Sequence, residues 1–207
     1  ISQSLNASEI EDLYLPFRPK RRTRATAAKE LGLEPLADLM WNVKTSRPAS
    51  DARKFVGDKV KDVQEALAGA RDIIAERLSE TPAIRENLRG IFRLRRICSK
   101  VTKSGKSSPE AAKYRSYFEF SHPLDLIPSH NLLAILRAES EGILSLSIDA
   151  DSQRCAETVY RGWLKTAGSR QGGASPELTS EMRKASEDAF DRLLNPSITN
   201  EIIKEAK

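Results

Sequence analysis

The sequence predicts a mainly α protein: a multi-helical bundle with a small two-stranded β element and long C-terminal helices. Three observations carry this reading. Apolar residues recur at spacings of three and four through most of the chain, the period drops to two in only two short stretches, and helix-starting and helix-stopping residues flank the periodic segments. Of 207 residues, 39% are hydrophobic and 30% charged. That balance excludes intrinsic disorder and collagen-like composition. No apolar run approaches the roughly 18 residues of a membrane span; the longest, over 132–136, stops at Arg137.

In order along the chain, Asn6 or Ser8 caps a short helix through Leu13, and Pro16 and Pro19 then break the chain on either side of Phe17 and Arg18. From Thr23 the string ATAAKEL favours helix, Gly32 stops it, and Pro35 opens another with Leu36, Leu39, Met40 and Val43 on one stripe. Residues 45–57 read as a loop. Asp58 is expected to cap a long helix in which Val60, Val63, Leu67, Ala70, Ile74 and Leu78 face the core. Thr81 and Pro82 start the next helix, which turns Ile84, Leu88, Ile91 and Phe92 inward and ends near Arg95.

Alternation then marks two strands, 97–103 and 143–149, where Leu144, Leu146 and Ile148 alternate with Ser145 and Ser147. A lone strand leaves its backbone groups unsatisfied, so the two are expected to pair with each other and lie on the helices. Between them Ser129 caps a helix over 132–138 that Gly142 ends. The last third is helical: 152–167, a GSRQGGAS loop, then 176–194 with Leu178, Met182, Ala185, Ala189 and Leu193 on one face. Pro196 is expected to interrupt that helix and Ser197 to cap a final one. No repeat of 20 to 50 residues is apparent, which argues against a solenoid.

Catalytic constellations are scarce. His122 and His130, the two histidines, lack the spacing to Cys, Asp or Glu that a metal site demands. Gly105-Lys106-Ser107 resembles a phosphate-binding loop only superficially, because Lys100 stands where the motif needs its first glycine. Carboxylate pairs such as Glu139/Glu141 read as solvated charge. With no nucleophile, base and orienting group to nominate, the expectation is a non-catalytic chain with no cofactor and no metal. Cys98 and Cys155 are too few for a disulfide framework and fit a reducing compartment.

Basic clusters stand above this background in a chain whose net charge is +5. Arg18, Lys20, Arg21, Arg22, Arg24 and Lys29 fall within twelve residues without an acid, just after Tyr14 and Phe17. A second acid-free stretch runs from Arg89 to Lys106 through Arg93, Arg95, Arg96, Lys100 and Lys103, and continues past Glu110 to Lys113 and Arg115. A Lys or Arg against a phosphate releases condensed counterions and gives sequence-independent, salt-sensitive affinity. The candidate nucleic-acid contacts are Arg18, Lys20, Arg21, Arg22 and Arg24, with Lys100, Lys103 and Lys106 as a secondary patch. The competing class is a helical interaction scaffold whose basic segments meet acidic protein surfaces.

The string EDLYLPFRPKRRTRATAAKELGLEPLADL over 11–39 resembles the Tex family of transcription accessory proteins. The resemblance continues through DVQEALAGARDIIAERLSE (62–80), SKVTK (99–103), AAKYRSYFEFSHPL (111–124) and IPSHNLLAILRAESEGILSLSI (127–148), and weakens after Asp149. Ala111, Ser116, Asn131 and Ala138 depart from the family's pattern of Gly, Asp, Arg and Gly. The resemblance implies that 1–150 is a Tex-like N-terminal helical domain and 151–207 a long-helix segment leading to further domains. Those domains would be an RNase-H-like domain, helix-hairpin-helix elements and an RNA-binding S1 domain, in a bacterial-type cytoplasmic protein. Nucleic acid, the transcription machinery and the downstream domains are the partners it implies. An Ile1 start and a helical end suggest a piece of a longer chain, though N-terminal processing also gives such a start.

Overall fold

The computed structural model describes residues 7–17, 22–166 and 173–206. In chain order its helices are α1 (Ala7–Tyr14), α2 (Arg24–Glu30), α3 (Glu34–Trp41), α4 (Pro48–Ala52), α5 (Val63–Ser79), α6 (Pro82–Arg93), α7 (Lys103–Lys106), α8 (Ser129–Ser140), α9 (Ser152–Thr166), α10 (Pro176–Asp188) and α11 (Asn195–Glu205). The strands are β1 (Arg96–Val101), β2 (Glu119–Pro123) and β3 (Leu144–Ile148). The fold is mainly α, as the periodicity predicts. Contacts divide it into two units, one of residues 1–87 with 152–195 and one of 88–151 with 196–207.

The first unit is helical and built on α5, against which α2, α3, α4 and α10 pack. Leu67, Ala70, Ile73, Ile74 and Leu78 supply its buried stripe. Helix α5 starts later than the Asp58 cap would place it. Gly57 and Val60 pair across a tight turn, so the backbone is still reversing there. The cap is Asp62, which accepts from Glu65 N at 2.8 Å while Glu65 accepts from Lys61 N at 2.6 Å, a reciprocal arrangement that satisfies two orphan donors. The expected loop over 45–57 contains α4, with Pro48 at its first turn and the Thr45 hydroxyl donating to Asp51 at 2.7 Å. Trp163 of α9 is fully buried and its indole donates to the Trp41 carbonyl at 3.0 Å. The neighbouring Gly162 lets α9 approach α6, because a Cβ there would lie 2.5 Å from Ile84 Cγ1. Helix α1 is tied to α6 by a buried ion pair, Asp12 to Arg85, at 2.8 Å.

The second unit holds the sheet, in the order β2-β1-β3 and antiparallel throughout. The expected pairing of the two alternating stretches is present, with Ile97 opposite Ile148 and Val101 opposite Leu144. The sequence reading lacked β2, which pairs Lys100 with Glu119 and Ile97 with His122. Ile97 and Ser99 are buried on one face, which also carries Leu144 and Ile148; Lys100, Glu119, Ser121, Ser145 and Ser147 are exposed on the other. On the covered side Tyr117 meets Phe120 edge-on at 5.4 Å and donates to Asn131 at 3.0 Å. Helix α8 begins at Ser129 with Pro128 as its cap residue, so Ser129 is the first helical residue rather than the cap. Gly142 ends it at φ +73°, a left-handed conformation that suits glycine.

Pro196 does not break the C-terminal helices. It is the second residue of α11, and the turn before it, Ala189–Leu194, is a π-helix. A widened turn accommodates the missing proline N–H and the bulk of its ring against the preceding carbonyls.

Candidate nucleic-acid interface

Of the first basic cluster, Arg18, Lys20 and Arg21 lie outside the described residues. Arg22 is exposed and donates to Glu30 at 2.7 Å. Lys29 faces Glu34 at 3.5 Å. Arg24, the first residue of α2, is exposed. Burial pushes the Asp72 carboxyl above its ordinary value, against the pull of Arg192 and, more weakly, of Arg24.

The same unit ties several of its other arginines to carboxylates. Arg77 reaches Asp38 at 2.6 Å and Glu34 at 3.3 Å. Arg192 takes Asp188 at 2.5 Å and Asp72 at 3.3 Å. Burial alone would raise the Glu181 carboxyl, but hydrogen bonds from Lys184 (2.7 Å) and Arg71 outweigh it and hold Glu181 below the ordinary carboxylate range. Glu157 is held low in the same way by Arg183 and Arg161, with Arg183 also lying 4.4 Å above the Tyr160 ring.

The second basic stretch divides into residues with partners and residues without. Arg89, 2% exposed, donates twice to Glu201 of α11, at 2.9 and 3.0 Å. Arg93 reaches Glu205 one turn further on, at 3.0 Å. Arg96 crosses to β2, where it donates to the Ser121 hydroxyl at 2.8 Å and the Ser121 carbonyl at 2.7 Å. Lys113 pairs with Glu110. By contrast, among the described residues no carboxylate pairs with Lys100, Lys103 or Lys106, and all three are exposed. Cations left in solvent at one end of a sheet are available to a polyanion; cations held by carboxylates are not.

Local structure fixes these lysines. Lys100 lies on the open sheet face in the central strand. Lys103 and Lys106 lie on α7, a single turn capped by Thr102, whose hydroxyl accepts from Gly105 N at 2.8 Å and donates to the Gly142 carbonyl at 2.7 Å. Thr102 N also donates to the Ile143 carbonyl at 2.9 Å. Gly105 is required by this contact, since a Cβ there would lie 2.3 Å from the Ile143 oxygen. The turn carrying two lysines is thereby clamped to the start of β3. Lys100 and Lys106 line an open recess of about 440 Å³ together with Cys98, Phe118, Glu119 and Ser121.

The sequence reading missed Glu119, Ser121 and the positioning role of Thr102. The period-2 string FEFSH over 118–122 was the available signal for β2. His122 is structural: it stacks on Phe120 at 6.0 Å and its Nδ1 donates to the Pro123 carbonyl at 2.9 Å. Among the described residues no helix is long and apolar enough to cross a membrane.

Comparison with known proteins follows the same stretch of chain. Residues 43–206 match the family model described as Tex central region-like. The chain belongs to the Tex family. Protein YhgF of Escherichia coli (strain K12) is 46% identical over 156 residues, 74% of this chain and 20% of that protein. The transcriptional accessory protein Tex of Neisseria gonorrhoeae is 36% identical over 144 residues, 69% of this chain and 19% of that protein. The S1 RNA-binding domain-containing protein 1 of Pongo abelii is 24% identical over 203 residues, 93% of this chain and 20% of that protein. The chain thus spans about a fifth of the length of each of these Tex-like relatives.

Proposed function

We propose that this chain is a non-catalytic, nucleic-acid-contacting module of a Tex-like transcription accessory protein, acting in a reducing, cytoplasmic setting. Lys100, Lys103 and Lys106 contact phosphates, and the cluster from Arg18 to Arg24 adds a further basic segment. The observation that carries this reading is the set of three lysines without a carboxylate partner beside an open sheet face, in a stretch whose Arg89, Arg93 and Lys113 are each tied to an acid. The names of two relatives, a transcriptional accessory protein and an S1 RNA-binding domain-containing protein, favour the same class. Neither cysteine is in a disulfide, Cys98 being half-buried and Cys155 buried, which fits the compartment.

The test is a titration of the chain with single- and double-stranded RNA and DNA at several salt concentrations. Replacing Lys100, Lys103 and Lys106 together by Ala should weaken binding and reduce the slope of log K against log salt by about three, one per phosphate contact. An unchanged slope removes these lysines from the interface.

A second reading is a protein-interaction scaffold. It is favoured by the exposed apolar stripe Ile10, Leu13, Tyr14 and Phe17 on α1 and the turn after it, with Phe17 78% exposed, and by the pairing of Arg22 with Glu30. Absence of nucleic-acid binding at low salt would favour the scaffold.

A further inference from the structure

The recess between β1 and β2 differs from a plain phosphate cradle because a carboxylate stands inside it. Its volume of about 440 Å³ falls within the roughly 300–1,000 Å³ range of small-ligand clefts. Glu119 is opposite Lys100 in the strand register, and among the described residues no cation lies within ion-pair distance of it. A phosphate entering beside Glu119 meets like charge. An exocyclic amino group meets an acceptor, the way acidic side chains read the cytosine amino group. Cys98 and Ser121 of the open face line the same recess, while Lys100 and Lys106 leave positive charge at the margin for the backbone on either side. The bases of a duplex are stacked and paired inward, so an unpaired base is the one able to enter.

We propose that this recess reads one unpaired, amino-bearing base of a single-stranded nucleic acid: Glu119 accepts from the exocyclic amino group, and Lys100 and Lys106 take the flanking phosphates. This rests on the reading that the lysines meet phosphate, and adds a preference that phosphate contact alone does not give.

The experiment compares cytidine and uridine homopolymers of equal length on the whole chain, wild type and Glu119→Ala, at several salt concentrations. The cytidine polymer should bind roughly fivefold or more tightly than the uridine polymer, as one well-placed base contact implies. In Glu119→Ala the two should bind alike, with the salt slope unchanged. Alkylation of Cys98 gives a second readout that needs no substitution, with buried Cys155 as internal reference: the cytidine polymer should slow it, and inorganic polyphosphate should not. Equal affinity for the two polymers, a preference that survives in Glu119→Ala, or equal protection by polyphosphate overturns base reading while leaving phosphate contact standing. Loss of all salt-dependent binding overturns both.

Discussion

The helical unit and the sheet-bearing unit both tie arginines to carboxylates, and the sheet-bearing unit also carries three exposed lysines that no carboxylate among the described residues meets. Around α5 and α10, Arg71, Arg77, Arg183 and Arg192 each end on at least one carboxylate, and two of these partners, Glu181 for Arg71 and Asp72 for Arg192, lie more than a hundred residues away in the chain. At the sheet, Lys100, Lys103 and Lys106 project from a strand and a one-turn helix whose neighbours are Ser99, Ser104, Ser107 and Ser145. The planar guanidinium, with five donors in a fixed fork, suits pairing between packed helices; the ammonium on its flexible stem suits a surface that must adapt to a moving partner. Net charge therefore says little about where a polyanion lands. What matters is which cations the fold leaves without a counter-charge.

Removing a partner in the helical unit tests this most strongly at Asp12. Both members of the Asp12–Arg85 pair are buried, so Asp12→Ala takes the carboxylate from a buried guanidinium that keeps its hydrogen bond to the Ser79 carbonyl at 3.1 Å, and should destabilise by about 3–5 kcal/mol in urea unfolding. A loss below about 1 kcal/mol would mean that α1 does not depend on the pair. Next in size, Gly105→Ala drives a Cβ onto the Ile143 carbonyl and should cost roughly 1–3 kcal/mol, with nucleic-acid affinity falling as the Lys103–Lys106 turn shifts. The same substitution leaving affinity intact would show that the clamp does not position the lysines.

Acid titration sharpens the contrast further. Glu181 is held below its ordinary range in the folded protein, so its pairing contributes fully above the unfolded Glu value of about 4.3 and is lost as pH falls through the lower folded value. Glu181→Gln should lower stability at neutral pH by roughly 1–3 kcal/mol and flatten the acid limb of the stability profile. An acid limb as steep as in the wild type would place that dependence on other carboxylates. Smallest of all, Glu30→Ala breaks the exposed pair with Arg22 and should change stability by less than about 1 kcal/mol. It should also strengthen nucleic-acid binding slightly if Arg22 then turns to phosphate, measured as a steeper salt dependence.

Much of the architecture was legible because local signals and packing agree. Thr23 caps α2 through Thr26 N at 3.0 Å, Gly32 ends it at φ +79°, and Ile97 to Val101 pairs with β3 as the alternation implies. Two misplacements, Asp58 for Asp62 and the break at Pro196, arose where a turn or a π segment absorbs what a single residue type suggests. Strand β2 was hidden because FEFSHPL follows a long run of 3-10 turns, Pro109–Tyr117, and shows its alternation over few residues. The candidate site was half legible. Composition exposed the lysines of the second stretch, but nothing local says that Arg89 belongs to Glu201, 112 residues away, or that Glu119 stands opposite Lys100.

Strand β2 is an outer strand of its sheet, and its rim is already obstructed. Pro123 has no N–H to offer, and the Arg96 guanidinium occupies the Ser121 carbonyl. A strand from another molecule would find two of its hydrogen-bonding sites taken before it arrived. This side of the molecule therefore resists strand-by-strand self-association, which keeps the polar sheet surface beside it in solution, accessible to large partners.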